Sequence, residues 1–270
     1  MPILSRAGCK SYKRLTPARI DRLPAVRRLS SQMALKLRYC SRRLVRPRVI
    51  ACGGVRLPVE GAQYSAAMIE ELYRERYEED EAAIVRAILD PGDTVLDLGA
   101  GIGFITTVCA KLHATVCCVE ANPHLIAIAE RTFQLNRVKP DLRHAAVGPS
   151  NGSVELFVRQ EFWSSSTLAG ADLTAPPLDV PAVRLNHLLE EIRPSLLICD
   201  VEGAESSLFD DADLSSIQKM VVEVHPKLIG WNGVRRMVRT LFDSGFVLDT
   251  RISIKNVLLF RREDEHDNPP

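Results

Sequence analysis

Acids are almost missing from the first fifty residues. Asp21 stands alone there against 14 Lys or Arg, while the rest of the chain carries 21 bases and 33 acids. The overall charge of +1 therefore hides a leader of +13 beside a remainder of −12. Long apolar runs are missing too, and nothing approaches the ~20 residues of a membrane-spanning helix. The seven cysteines (Cys9, Cys40, Cys52, Cys109, Cys117, Cys118 and Cys199) include no Cys-x-x-Cys pair. Neither a zinc ribbon nor a disulfide framework is indicated. Several sit in apolar runs, where a thiol packs as a small hydrophobe, so a reducing, cytoplasmic setting is expected. There is no internal repeat. What remains is a chain of 270 residues, 46% apolar, enough for one large α/β domain with an appendage.

Residues 1–48 are rich in Arg, Lys, Ser and Pro without a sustained apolar period. They lack the apolar centre of a secretory signal. An organelle transit peptide and a basic arm for nucleic acid or anionic lipid both fit this composition. The plainer reading, a disordered extension or a start assigned ahead of Met33, is the expectation, because charge runs are usually solvated.

From Val49 the pattern changes. Residues 49–90 read as a hairpin around Gly53-Gly54 followed by a helical stretch from Ser65 to Leu89, interrupted by Glu78-Glu79-Asp80-Glu81. Pro91-Gly92-Asp93 is a turn, and strands then alternate with helices over 91–262. Strands are expected at Thr94–Leu98, Thr115–Val119, Leu142–Val147, Ser153–Val158, Leu196–Val201, Met220–Val224, Phe246–Leu248 and Asn256–Phe260. Helices are expected at Phe104–Leu112, Pro123–Leu135, Val183–Glu191, from Ala204 to Phe209, and at Val234–Phe242, with Gln160–Pro181 as a loop. This alternation predicts a mostly parallel sheet covered on both faces, with ligands held at the carboxyl ends of its strands. Residues 263–270 form a polar tail.

The informative segment is Asp97-Leu98-Gly99-Ala100-Gly101-Ile102-Gly103-Phe104, placed between strand and helix. Glycines permit a sharp turn and a close approach to a ligand. The spacing is Gly-x-Gly-x-Gly, unlike the Gly-x-Gly-x-x-Gly of pyrophosphate binders. Asp97 at the strand tip suits an ammonium or sulfonium cation better than a pyrophosphate. The next strand ends Val119-Glu120-Ala121-Asn122-Pro123, and an acid there can accept hydrogen bonds from a ribose diol. The plain alternative is that Asp97 and Glu120 only cap loops or helices. The expected cofactor is S-adenosylmethionine.

These segments resemble the FkbM family of class I S-adenosylmethionine methyltransferases. The resemblance spans about residues 54–260. It rests on Tyr77-Glu78, Gly92-Asp93-Thr94-Val95-Leu96-Asp97-Leu98-Gly99, Val119–Pro123, Ala146-Val147-Gly148, Asp200-Val201-Glu202-Gly203-Ala204-Glu205 and Val222-Glu223-Val224-His225-Pro226. The Asp200–Glu205 element is the most specific. Gly101 replaces the family's usual Asn, and Ile198-Cys199 replaces a frequent base ahead of the aspartate. The resemblance implies a Rossmann-like three-layer sandwich with a seven-stranded sheet, its last strand antiparallel. It also implies an oxygen acceptor on a sugar, glycan or secondary metabolite.

Strand alternation puts Asp200 and Glu202 on one face. A hydroxyl acceptor must lose its proton, and Asp200 or His225 is the candidate base, with Glu202 orienting substrate or loop. Asp200 could instead hold the methionine ammonium, and His225 could simply finish a strand. No metal is expected, although Asp200, Glu202 and Glu223 could converge on Mg²⁺. Tyr77-Glu78 is read as a cover for the cofactor, or else a solvated face. Glu161–Ser166, with Trp163, suggests a substrate lid. The competing functions are a nucleic-acid methyltransferase using the basic arm and a non-catalytic binding module. The acidic domain argues against nucleic acid. A small-molecule or glycan acceptor is the expected partner, and oligomeric state is not encoded legibly.

Overall fold

The computed structural model describes residues 24–60, 64–148, 150–157 and 176–262, with side chains from residue 33 onward. The chain divides between Arg46 and Pro47 into two units.

The first unit contains helix α1, Pro24–Val45. The expected disordered extension is corrected over this stretch. Met33, Leu37, Cys40 and Leu44 recur at spacings of three and four, a helical period that the interspersed basic residues conceal in the linear sequence. Ala, Leu, Lys, Arg and Met are strong helix formers. Pro24 suits a first-turn position, and Arg42 and Arg43 in the last turn complement the helix dipole.

The second unit opens with the hairpin β1 (Val49–Cys52) and β2 (Val55–Pro58), turning at Gly53-Gly54. Helix α2 (Ala66–Arg74) is capped by the Ser65 hydroxyl, which accepts from the Met68 amide, and ends at Glu75 in the left-handed region. Helix α3 (Glu79–Ile88) carries Glu79, Asp80 and Glu81 in its first turn, where acids favour the helix dipole. The acidic group thus starts a new helix.

The core follows in chain order: β3 (Thr94–Leu98), α4 (Phe104–Lys111), β4 (Thr115–Glu120), α5 (Pro123–Asn136), β5 (Asp141–His144), β6 (Ala146–Gly148), β7 (Gly152–Leu156), β8 (Leu178–Arg184), α6 (Leu185–Ile192), β9 (Leu196–Cys199), α7 (Glu205–Leu208), β10 (Lys219–Glu223), α8 (Pro226–Asp243), β11 (Phe246–Leu248) and β12 (Val257–Arg262). The seven-stranded sheet has the order β11-β12-β10-β9-β3-β4-β5, and β12 runs antiparallel to both neighbours. This is the expected Rossmann-like sandwich. Its central strands are mostly apolar, as a sheet covered on both faces requires, with Asp97 of β3 the buried exception within them and charged residues otherwise at strand ends. Leu96, Leu98, Leu197, Met220 and Val222 are buried with Leu188, Leu241 and Phe260.

Three expectations are corrected. Leu142–Val147 is two strands, because the chain leaves the main sheet after His144 and β6 joins a separate sheet. The end of the expected loop and the start of the expected helix together form β8, which pairs parallel with β6 and antiparallel with β7. Helix α8 begins at Pro226, eight positions before Val234, and kinks at Gly230, whose φ of 65° interrupts the apolar period.

Register fixes the site. Leu98 lies opposite Val119 of β4 and Cys199 of β9, and Cys199 lies opposite Val222 of β10. The segments Gly99–Gly103, Glu120–Asn122, Asp200–Gly203 and Glu223–His225 therefore leave the sheet along one edge.

Candidate active site

The glycine turn is built by its own backbone. Gly99, Gly101 and Gly103 have φ of 85°, 55° and 79°. A Cβ on Gly99 would lie 1.7 Å from the Asp200 carbonyl oxygen, so the two strand tips meet only through a glycine. The Gly99 and Ala100 amides donate to Val119 O at 2.9 and 3.1 Å, and the Asp200 amide donates to Leu98 O at 2.9 Å. A Cβ on Gly103 would strike the Phe133 ring at 2.6 Å, so that glycine serves the packing of α4 on α5.

Glu120 is buried and braces this turn. Its Oε2 accepts from the Gly101 amide and its Oε1 from the Asn122 amide, both at 2.7 Å. Burial pushes its carboxyl up to about 7, against those backbone bonds. Each oxygen keeps a second lone pair, so bracing the loop does not exhaust its capacity as an acceptor. Asp97 lies deeper and is buried, accepting from Thr106 Oγ1 at 2.5 Å. Burial raises it to about 6, opposed by that bond. Asn122 caps α5 through the His124 amide.

A pocket of about 270 Å³ opens over this edge. Of the sequence-predicted residues, Tyr77, Glu78, Gly99, Gly101, Glu120, Asp200, Glu202 and His225 line it. Asp97, Gly103 and Asn122 are outside that lining, and they shape the loop from behind. Tyr77 and Glu78 cover the turn, since a Cβ on Gly101 would sit 3.2 Å from Tyr77 Oη and 3.7 Å from Glu78 Oε1. Tyr77 packs edge-on against Phe104 at 5.8 Å between centroids. Glu161–Ser166 lies outside the described residues.

At the far end of the pocket stands His225. Glu205, fully buried in α7, contacts His225 Nδ1 through Oε1 at 2.5 Å. His225 Nε2 then faces Asp200 Oδ1 at 3.6 Å, Glu202 Oε2 at 3.5 Å and Glu223 Oε1 at 3.9 Å. Burial opposes a charge on the ring, but the Glu205 bond and the charges of Asp200, Glu202 and Glu205 outweigh it and raise His225 to about 9. Burial also pushes Glu223 up to about 10, reinforced by the charge of Asp200 and by Glu81. Asp200 is held well above the usual carboxylate range by burial, with His225 acting the other way. Glu202 adopts a φ of 48°, a left-handed conformation uncommon for a residue with a side chain, and Gly203 follows at 109°. That turn carries the chain from the Asp200 strand tip into α7.

The profile of the FkbM methyltransferase domain matches residues 97–248, which contain the turn, the Glu120 brace and the His225 cluster. The chain belongs to the FkbM methyltransferase family. No curated protein sequence matches it. Among solved structures it is similar to the magnesium protoporphyrin IX methyltransferase of Synechocystis with bound S-adenosylmethionine, at 17% identity over 74% of this chain and 86% of that one, with a TM-score of 0.42. It is also similar to TYW2 of M. jannaschii in complex with AdoMet, at 15% identity over 80% and 86%, with a TM-score of 0.41. A methyltransferase of Pyrococcus furiosus is similar at 12% identity over 86% and 98%, with a TM-score of 0.43.

This FkbM-family protein is an S-adenosylmethionine-dependent methyltransferase, and its pocket fits that cofactor. Glu78, Glu120, Asp200, Glu202 and Glu223 line it, and among the described residues no Lys or Arg does. A sulfonium or an ammonium bound among these carboxyls favours their ionised form, whereas a pyrophosphate finds no positive partner there. Asp200, Glu202 and His225 each offer one metal-ligand atom within 4.8 Å of the others. The grouping differs from the Asp200–Glu202–Glu223 set considered in the sequence, because His225 stands between the carboxylates.

Two features were not assigned from sequence. Glu205 belongs to the Asp200–Glu205 element, and its position facing His225 depends on the fold of α7 against α8. The apolar wall of Leu125, Ala146, Val147 and Leu156 comes from α5 and the small sheet. Its only prior signal was the Ala146-Val147-Gly148 segment.

Proposed function

We propose that the protein transfers the methyl group of S-adenosylmethionine to a hydroxyl oxygen of a small molecule or glycan, with His225 as general base and Glu205 as the residue that positions it. The observation that carries this reading is the carboxylate-backed imidazole at the pocket. One ring nitrogen is held by buried Glu205, which leaves the other facing Asp200 and Glu202.

When bound, the cofactor supplies an electrophilic methyl carbon on a cationic sulfur that departs neutral. Gly99 and Gly101 would let the backbone approach it, Glu120 would accept from its ribose, and Asp200 and Glu78 would balance its positive charges. The apolar wall of Leu125, Val147 and Leu156 would take its adenine. Neutral His225 Nε2 accepts the hydroxyl proton as the acceptor oxygen attacks the methyl carbon, and the carbon–sulfur electron pair leaves with sulfur. Alignment alone can supply ~7–11 kcal/mol in favourable cases, and a positioned base about 10²–10⁴-fold. The surrounding carboxylates stabilise the imidazolium that results. A positive ligand beside Asp200 weakens the field that keeps the proton on His225, lowering its affinity in the loaded site.

The carboxylate wall favours neutral acceptors such as sugars and hydroxylated metabolites over phosphorylated ones, and it speaks against nucleic acid. Buried free thiols, Cys52, Cys109, Cys117, Cys118 and Cys199, support a reducing cytoplasmic setting. The test is labelled-methyl transfer to a panel of neutral sugars, glycans and hydroxylated metabolites beside their phosphorylated and amino counterparts. Label in an ether on a neutral acceptor is the expected product. Label only on amines or phosphorylated acceptors would overturn the assignment.

A further inference from the structure

Helix α1 combines a basic face with an apolar stripe. Over its 22 residues it carries six Lys or Arg and no acid. Met33 and Leu37 are 63% and 68% exposed, and Leu44 is 85% exposed. Their spacing of four and then seven residues places these three along one stripe of the helix, with Cys40 between. Lys36 and Arg43 fall at the border of that stripe by the same period, while Arg38 and Arg42 fall on the opposite side.

Such a helix matches a surface that is apolar within and anionic at its rim. A nucleic-acid backbone satisfies the cations but leaves Met33, Leu37 and Leu44 in water. An anionic bilayer offers both parts: acyl chains for the stripe and headgroups for the flanking bases, whose long stems let the charge stay at the interface. No described helix is long and apolar enough to cross a membrane, so α1 would lie along the surface.

We propose that helix Pro24–Val45 is a peripheral anchor that sets Met33, Leu37 and Leu44 into the headgroup region of an anionic membrane, held there by its Lys and Arg residues. The inference is independent of the reaction assigned to the pocket. It places the enzyme where an acceptor at or near a membrane surface is concentrated.

The experiment is co-sedimentation of the full chain with sucrose-loaded vesicles of phosphatidylcholine alone and of phosphatidylcholine with one part in four phosphatidylserine, each at low and high salt. Binding at least ~10-fold tighter on the anionic vesicles, weakened by salt, is expected from several bases near the surface. Leu37→Glu with Leu44→Glu should lower that binding by ~10-fold or more by removing the stripe. Arg42→Glu with Arg43→Glu should do so by removing the electrostatic attraction. Titration with S-adenosylmethionine should be unchanged in both variants, which shows that each is folded. Equal binding to both vesicle types, no binding, or full binding by the Leu37/Leu44 variant would overturn the proposal. So would tighter binding to duplex RNA than to anionic vesicles at the same salt.

Discussion

Glu205 Oε1 lies 2.5 Å from His225 Nδ1, and that contact decides which ring nitrogen reaches the pocket. Glu205 is fully buried, so the imidazole is backed by a carboxylate that solvent does not screen. Glu205→Gln keeps the shape and removes the charge. It should lower limiting kcat by roughly 10- to 10²-fold, leave the KM for S-adenosylmethionine near its original value, and move the kinetic pKa of His225 downward. Profiles of kcat and of KM against pH read all three. An unchanged midpoint would show that Glu205 does not act through His225.

The pH dependence follows from the same cluster. His225 is raised from an ordinary 6.5 to about 9, so the folded protein holds this proton more tightly than the unfolded chain. Its contribution to stability is complete below about 6.5 and is lost as pH rises through about 9. Asp200 and Glu223, both raised, act in the same direction. Thermal unfolding of the free protein should therefore move to lower temperature as pH climbs across this window. Turnover should run the opposite way, rising with pH as His225 loses its proton. A Tm that rises with pH between these limits would contradict the cluster described here.

Gly99→Ala tests the meeting of the strand tips. Its φ of 85° disfavours a side chain, and the new methyl would sit 1.7 Å from the Asp200 carbonyl. Backbone strain alone is on the order of 1–3 kcal/mol, before any displacement of Asp200. The variant should melt several degrees lower and bind S-adenosylmethionine at least ~10-fold more weakly. Gly54→Ala is the control, since its φ of 85° is equally left-handed but no atom lies within 4 Å of its new Cβ. Equal losses in both would show that left-handed strain, not the contact with Asp200, sets the cost.

Glu120 is raised to about 7, chiefly by burial. As a ribose acceptor it must be ionised for its strongest bonds, so affinity for S-adenosylmethionine should fall as pH drops through about 7. A lost charge-assisted hydrogen bond of about 1.5–3 kcal/mol corresponds to roughly 10- to 10²-fold. Calorimetric titration across this range, repeated with Glu120→Gln, measures it. The substitution should weaken binding at high pH and flatten the pH dependence.

The fold was legible wherever pattern and turn chemistry agreed. Thr94–Leu98, Gly99–Gly103 and the helix from Phe104 read directly, because a buried strand, a glycine turn and a helix start reinforce one another. Asp200 and Glu202 do line one pocket, but the strand ends at Cys199 and a left-handed turn at Glu202 brings them there, not strand alternation. Less legible was anything set by tertiary neighbours. Residues 142–147 read as one strand, since periodicity cannot show a chain stepping from one sheet to another at Ala145. Asp97 read as a cofactor contact, but its place behind the turn depends on Thr106, a residue of α4. Glu205 drew no role because its partner lies twenty positions on, beyond strand β10. Helix α1 was hidden by its own charge, its stripe of Met33, Leu37 and Leu44 being thin beside six bases.

The most direct measurement pairs calorimetric binding of S-adenosylmethionine with labelled-methyl transfer in wild type and His225→Asn. The wild type should bind S-adenosylmethionine, ignore NAD and deliver label to a hydroxyl acceptor. His225→Asn should keep its affinity for S-adenosylmethionine while transfer falls by about 10²–10⁴-fold. Failure of the wild type to bind S-adenosylmethionine, or transfer by His225→Asn at the wild-type rate, would contradict the account.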